Sequence, residues 1–134
     1  MSFVEAVKEY FIRWNDFKTR SSRSEYWWAT LFVTFASYIV SFAVGFFIGF
    51  TFADAGFSEE VTMTIVGIAT LAMQIFIIIA STALVVRRLH DVDKSGWWYL
   101  IIFTIIGIIP LLIWFCTIGN DGSNRFGEDP LKQT

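Results

Sequence analysis

Residues 26–53, YWWATLFVTFASYIVSFAVGFFIGFTFA, contain no Asp, Glu, Lys or Arg. A helix needs about 20 residues, at roughly 1.5 Å each, to cross a hydrocarbon core about 30 Å thick, and this stretch exceeds that length. Residues 61–86 and 95–120 are likewise free of charge. All three windows are apolar on every face, whereas a membrane strand would need only about 10 residues with strict alternation. The chain therefore reads as an all-α membrane protein of three transmembrane helices, Trp27 to Phe52, Thr62 to Val86 and Trp97 to Ile118. The remainder is a short amino-terminal segment, 1–25, and a turn-rich tail, 119–134, within a single integral membrane domain.

Composition supports a lipid solvent. Of 134 residues 55% are apolar and 16% charged, with 15 Phe and 6 Trp, and the mean hydropathy is +0.59. A soluble domain of this length carries roughly a quarter of its residues as charges, and could not hide so much apolar surface. The net charge of −2 gives no electrostatic reason to expect a nucleic-acid partner. One Cys excludes an internal disulfide, and one Cys with one His cannot supply a structural zinc site. No cofactor-binding pattern, nucleophile elbow or metal-ligand spacing appears, so no cofactor and no enzymatic activity are expected.

Orientation follows from Lys and Arg outside the spans. Lys8, Arg13, Lys18, Arg20 and Arg23 precede the first span, Arg87, Arg88 and Lys94 follow the second, and the loop 54–60 between them has none. Positive residues stay in the cytoplasm, so the amino terminus and second loop are expected inside and the first loop outside. Three spans would then carry the carboxyl terminus to the periplasmic or extracellular side. Gly107 and Pro110 predict a bend in the third span, and a re-entrant hairpin there would instead return the tail to the cytoplasm.

Before the first span, Phe3, Val4, Val7, Tyr10, Phe11 and Trp14 recur at helical spacing opposite Glu5 and Glu9, which predicts an amphipathic helix at the interface. Trp14, Trp27, Trp28, Trp97 and Trp98 fall at the cytoplasmic boundary, where an indole finds both apolar and polar surroundings. In the first span Ser37, Ser41, Gly45, Gly49 and Ala53 repeat every four residues, a small-residue face along which another helix can approach closely. That helix is either a neighbour in the same chain or a second copy of it.

Three polar segments, FKTRSSRSEYW (17–27), RRLHDVDKSGWW (87–98) and GNDGSNRFGEDP (119–130), are dense in Arg, carboxylate, Gly and aromatic residues. Together they resemble the elements FxGRxSRxEYW, RRLHDxGxSGW and GxNRFGPDP of the YhaH/YhaI-like family of small bacterial inner-membrane proteins (domain of unknown function family 805). The match runs in order over nearly the whole chain. It departs at Thr19 and Asp93, where the family pattern has Gly, and at Glu128, where it has Pro. The resemblance implies a bacterial inner-membrane location and supplies no reaction.

The first two segments lie on the same membrane face, so Arg20, Arg23 and Glu25 are expected to meet Arg87, Arg88, His90 and Asp91. Arg87 and Arg88 precede Asp91 by four and three residues, within pairing distance on a helix. Two uses of this cluster stand open: an ionic clasp between helices, or a site for anionic lipid headgroups. The expected partners are membrane lipids, including anionic phospholipid, and another copy of the chain or another membrane protein. The function expected is a non-enzymatic interaction or scaffold protein; the alternative is an oligomeric transport or channel component.

Overall fold

The computed structural model describes residues 1–132; Gln133 and Thr134, the end of the 119–134 tail, lie outside the described residues. The elements are α1 (Phe3–Ile12), α2 (Arg23–Asp54), α3 (Glu59–Asp91), a 3-10 helix (Gly96–Phe103) and α4 (Ile108–Cys116). They fall into two compact units, one of residues 31–78 and one of residues 1–30 with 79–132.

The unit 31–78 is a helical hairpin, and its turn is built from local hydrogen bonds. At the end of α2, Phe57 N–H donates to Phe52 O (3.0 Å) and Gly56 N–H to Ala53 O (3.1 Å), with Gly56 at φ +78°. This is the Schellman pattern, in which a left-handed glycine lets the chain satisfy the last carbonyls of the helix. The Phe52 and Phe57 rings, 4.9 Å apart, supply the accompanying apolar contact. Ser58 then starts α3, accepting at its Oγ from Val61 N–H (3.4 Å).

Hydroxyls along both helices turn back on their own backbone. Ser37 donates to Thr34 O (2.9 Å), Thr51 to Phe47 O (2.8 Å) and Thr70 to Val66 O (2.8 Å). Such back-bonding lets a hydroxyl sit in hydrocarbon without an unsatisfied donor. Of the small-residue face, Gly45 looks toward α3: a Cβ there would stand 3.9 Å from Val66 Cγ1. Ser37, Ser41 and Gly49 are half-buried, a Cβ at Gly49 would meet nothing within 4 Å, and Ala53 is exposed.

Phe42, Phe46 and Phe50 form an outward ladder of rings stacked 6.3 and 6.4 Å apart, with Phe42 76% exposed. Both α2 and α3 are long and apolar enough to cross a membrane, and almost nothing of their most apolar stretches is buried within the chain. Lipid is the solvent that makes such a surface stable. Their charged ends, 23–25 and 87–91, extend beyond the charge-free spans.

The third apolar stretch does not form the single helix expected for Trp97 to Ile118. It runs out as the 3-10 helix, reverses through residues 104–107 and returns as α4. Thr104 N–H donates to Ile101 O (2.9 Å), and Gly107 N–H donates to Thr104 Oγ1 (3.0 Å). A side chain at Gly107 would collide with Ile101 O and Thr104 Oγ1, so the reversal needs glycine there. Pro110 is not the break itself. It lies in the first turn of α4, where the missing N–H has no helical partner to lose. Trp98 at the start meets Trp114 at the end with ring centroids 5.5 Å apart, so the start of the outgoing limb packs against the end of the returning one. Eight residues of 3-10 helix and nine of α-helix rise roughly 16 Å and 14 Å, about half a hydrocarbon core. The tip is bare: Phe103, Ile105 and Ile106 are 85%, 89% and 81% exposed.

The amphipathic helix α1 opens with a capping box. Ser2 Oγ accepts from Glu5 N–H (3.4 Å) while Glu5 Oε2 accepts from Ser2 N–H (2.7 Å). It presents three faces. Ala6 and Tyr10 are buried, with the Tyr10 hydroxyl 3.0 Å from Ser81 Oγ. Phe3, Val4 and Phe11 are exposed, and Glu5 and Lys8 are exposed on the polar side.

Candidate functional site: a buried arginine–carboxylate collar

The three polar segments converge in the unit formed by the chain's two ends. Asp91, in the last turn of α3, is the hub. Its Oδ1 accepts from Arg20 Nε (3.1 Å) and Nη2 (3.0 Å), and its Oδ2 accepts from Arg88 Nη1. The remaining Arg20 donors reach backbone carbonyls of the tail: Nη1 to Gly122 O (2.6 Å) and Gly127 O (3.3 Å), Nη2 also to Asn120 O (2.7 Å). Asn120 N–H in turn donates to Asp91 O (2.9 Å). The tail passes so close over Asp91 that a Cβ at Gly119 would overlap its carboxylate.

Arg88 ties down the returning hairpin. Its Nε donates to Phe115 O (3.3 Å) and its Nη2 to Trp114 O (3.1 Å) and Thr117 O. These are the carbonyls that the carboxyl end of α4 leaves without helical partners, and a cation there also opposes the helix dipole. Arg87 points elsewhere. It pairs with Glu25 rather than with Asp91: Nη2 is 3.6 Å from Glu25 Oε1, Nε donates to Ser21 Oγ (2.9 Å), and Nη1 donates to Arg13 O (2.5 Å) and Asp16 O (3.2 Å). Helical spacing allowed either Arg to reach Asp91, and the i,i+3 partner took it. Arg20, Arg87, Arg88, Glu25 and Asp91 are all buried. Backbone carbonyls meet most of the buried guanidinium donors, while Arg87 Nη2 and Glu25 Oε2 are buried without a hydrogen-bond partner, the former 3.6 Å from Glu25 Oε1.

Arg23 and His90 stand apart from these pairs. Arg23 is exposed and donates to Cys116 O (3.1 Å). The His90 ring stacks on Phe126, centroids 3.8 Å apart and planes within 3°, and its Nδ1 lies 3.2 Å from Thr19 O. Burial holds the imidazole below its ordinary pKa. Asp91 is held by two Arg, and Ser95 Oγ accepts from Trp97 N–H (3.4 Å). The tail is fixed to the same place: Asn124 Nδ2 donates to His90 O (2.9 Å), and Arg125 Nε to Asp93 Oδ1 (3.0 Å). Asp93 has φ +55°, a left-handed turn position that Asp adopts more readily than most residues.

Sequence reasoning missed Arg13, Asp16 and Ser21 as members. Asp16 organises the link into the collar, accepting from Lys18 N–H (3.0 Å), Thr19 N–H (3.2 Å) and Arg13 Nε (3.2 Å). An Asp two residues before an amide it can cap is a readable turn signal. Burial would raise the Asp16 carboxyl, but the Thr19 hydroxyl, the two amides and Arg13 outweigh it and hold the pKa at about 2. Because the folded value lies below the ordinary 3.8, this support is present above about pH 4 and lost as pH falls toward 2. Hydrogen exchange of the Lys18 and Thr19 amides, corrected for intrinsic rate, is expected to accelerate over that window, and Asp16→Asn to remove the dependence. Asp129 is also held low, by the N–H groups of Leu131 (2.9 Å) and Gly122 (3.1 Å).

The family model described as a protein of unknown function, DUF805, matches residues 14–128, a range that takes in most of the collar. The chain is 34% identical over 133 residues to the inner membrane protein YhaI of Escherichia coli K12, covering 96% of this chain and 93% of that one. It is 30% identical over 129 residues to the inner membrane protein YhaH of the same strain, covering 96% and 94%. No solved structure matches. With two membrane-length apolar helices and these relatives, the chain is a membrane protein and belongs to the DUF805 family.

Proposed function

We propose that this chain is a non-enzymatic inner-membrane interaction protein with two full spans and one re-entrant hairpin, whose collar holds both termini on the cytoplasmic side as a rigid platform. The observation that carries the reading is the saturation of Arg20 and Arg88 by Asp91 and by carbonyls of residues 114–127. A tail so tied to the end of α3 shares the membrane face of α3's carboxyl end, which the Lys and Arg distribution assigns to the cytoplasm. The bare tip at 103–106 then enters the bilayer from that side, and the exposed face of α1, with Phe3, Val4 and Phe11, lies among the headgroups.

Three of the four arginines expected at a headgroup site are turned to protein acceptors. Arg20, Arg87 and Arg88 face protein partners, so anionic headgroups meet the rim, where Lys8, Lys18 and Arg23 are exposed. Each such cation contributes about 1 kcal/mol near an anionic surface.

Topology is the decisive test. In a Cys116→Ser background, a membrane-impermeant maleimide is expected to label Phe57→Cys from outside intact cells and Glu128→Cys only after the membrane is opened. Labelling of Glu128→Cys from outside would restore a third full span and overturn the platform.

A further inference from the structure

A groove of about 440 Å³ opens between the carboxyl-terminal part of α3 and the 3-10 helix. Thr82, Val86 and His90, four residues apart on α3, line it together with Ser95, Trp97 and Tyr99, and Phe17 joins them. A Cβ at Gly96 would stand 2.7 Å from Val86 Cγ1, so the 3-10 helix is pressed against α3 there. Small-molecule sites have this size, roughly 300–1,000 Å³, and this make-up, a mostly apolar and aromatic wall with a few polar groups. Trp97 is 79% exposed and belongs to the charge-free stretch 95–120, so the groove meets lipid at the membrane boundary.

His90 gives the groove its chemical preference. The residue is only 6% exposed. Its Nδ1 lies 3.2 Å from Thr19 O, a carbonyl that can only accept, so Nδ1 carries a proton. Burial holds the imidazole below its ordinary pKa, which leaves the ring neutral and Nε2 an acceptor. Among the described residues Nε2 has no hydrogen-bond partner, and the enclosed side-chain atoms without one are Glu25 Oε2 and Arg87 Nη2; Nε2 therefore keeps accessible surface. The Ser95 hydroxyl accepts from Trp97 N–H and has its own proton left to donate. Among the described residues no Asp, Glu, Lys or Arg lines the groove, so a charged head would enter without a counter-ion. The matching ligand is neutral, brings an O–H for Nε2 and has a flat face for the aromatic wall. We propose that this groove binds a neutral phenolic lipid, its O–H donating to His90 Nε2, its ring among Phe17, Trp97 and Tyr99, and its apolar tail in the bilayer.

His90 is the one histidine of the chain, so an imidazole nitrogen signal belongs to it alone. The full chain, labelled with nitrogen-15 histidine, is placed in phosphatidylcholine nanodiscs at about pH 8, above the imidazole range. Titration with para-octylphenol is expected to shift the Nε2 resonance saturably, as an acceptor nitrogen moves on receiving a hydrogen bond. Para-octylanisole has the same ring and tail without the O–H, and decanol has a hydroxyl without a ring. Each is expected to bind at least tenfold more weakly. Trp97→Ala, at an exposed position outside the collar, is expected to weaken para-octylphenol binding at least tenfold while the Nδ1 resonance of the free protein stays in place. No saturable shift with para-octylphenol, equal affinity for either control in the unaltered chain, or undiminished affinity in Trp97→Ala overturns the site.

Discussion

Asp91→Asn is expected to destabilise the collar by about 3–5 kcal/mol, the cost of leaving a buried charge without its counter-ion. Asp91 is the shared acceptor of Arg20 and Arg88, both buried, and the shape of asparagine is nearly the same. The loss is therefore electrostatic. One amide oxygen still accepts, but the NH2 group turns a donor toward a guanidinium, and two positive charges stay inside with no carboxylate between them. Unfolding in mixed micelles followed by Trp fluorescence measures the change. A double-mutant cycle with Arg20→Gln isolates the pair, because removing both partners relieves the uncompensated charge and should recover part of the loss. A single variant within about 1 kcal/mol of the parent would show that carbonyls alone hold the two arginines.

Arg88→Met is expected to be comparably severe, again about 3–5 kcal/mol, and to act on a different part of the chain. Methionine fills much of the space but supplies no donor, so Trp114, Phe115 and Thr117 lose the group that caps the returning limb. Asp91 simultaneously keeps only Arg20. The readout is local: tryptic cleavage after Arg125 should rise at least tenfold as residues 117–130 detach from the end of α3. Arg88→Lys separates charge from geometry. A point-like ammonium cannot reach three carbonyls and a carboxylate together, so lysine is expected to rescue little.

The parts of the fold that were legible in the sequence are those where the solvent imposes a rule on composition. Residues 26–53 and 61–86 had to be charge-free to lie in lipid, and both emerge as long helices. Residues 95–120 obey the same rule and yet do not form one helix, because apolarity records the environment of a segment and not the direction of its chain. The clue was Gly107, whose lack of a side chain permits the tight return at Ile101 and Thr104. In the collar, Arg20, Glu25, Arg87, Arg88 and Asp91 were identifiable because charge next to a span needs a partner. Of their pairing only Arg88 with Asp91 followed from helical spacing, since most other acceptors are main-chain carbonyls of Trp114, Phe115, Asn120 and Gly122, which every residue carries and no sequence pattern marks. His90, grouped with the charges on sequence proximity, belongs instead to the stack with Phe126.

The hydrogen bonds from Arg20 to the tail span 100 to 107 residues of chain. During synthesis at about 5–20 residues per second, Arg20 leaves the ribosome roughly 5–20 s before the carbonyls that will receive it. Until then Asp91, 71 residues after Arg20, is the counter-ion already made, and the donors meant for the tail must be met by water or headgroups. Residues 120–127 thus supply the last of the Arg20 acceptors to be made. A chain ending before Asn120 would keep the Arg20–Asp91 pair and leave the other Arg20 donors to water.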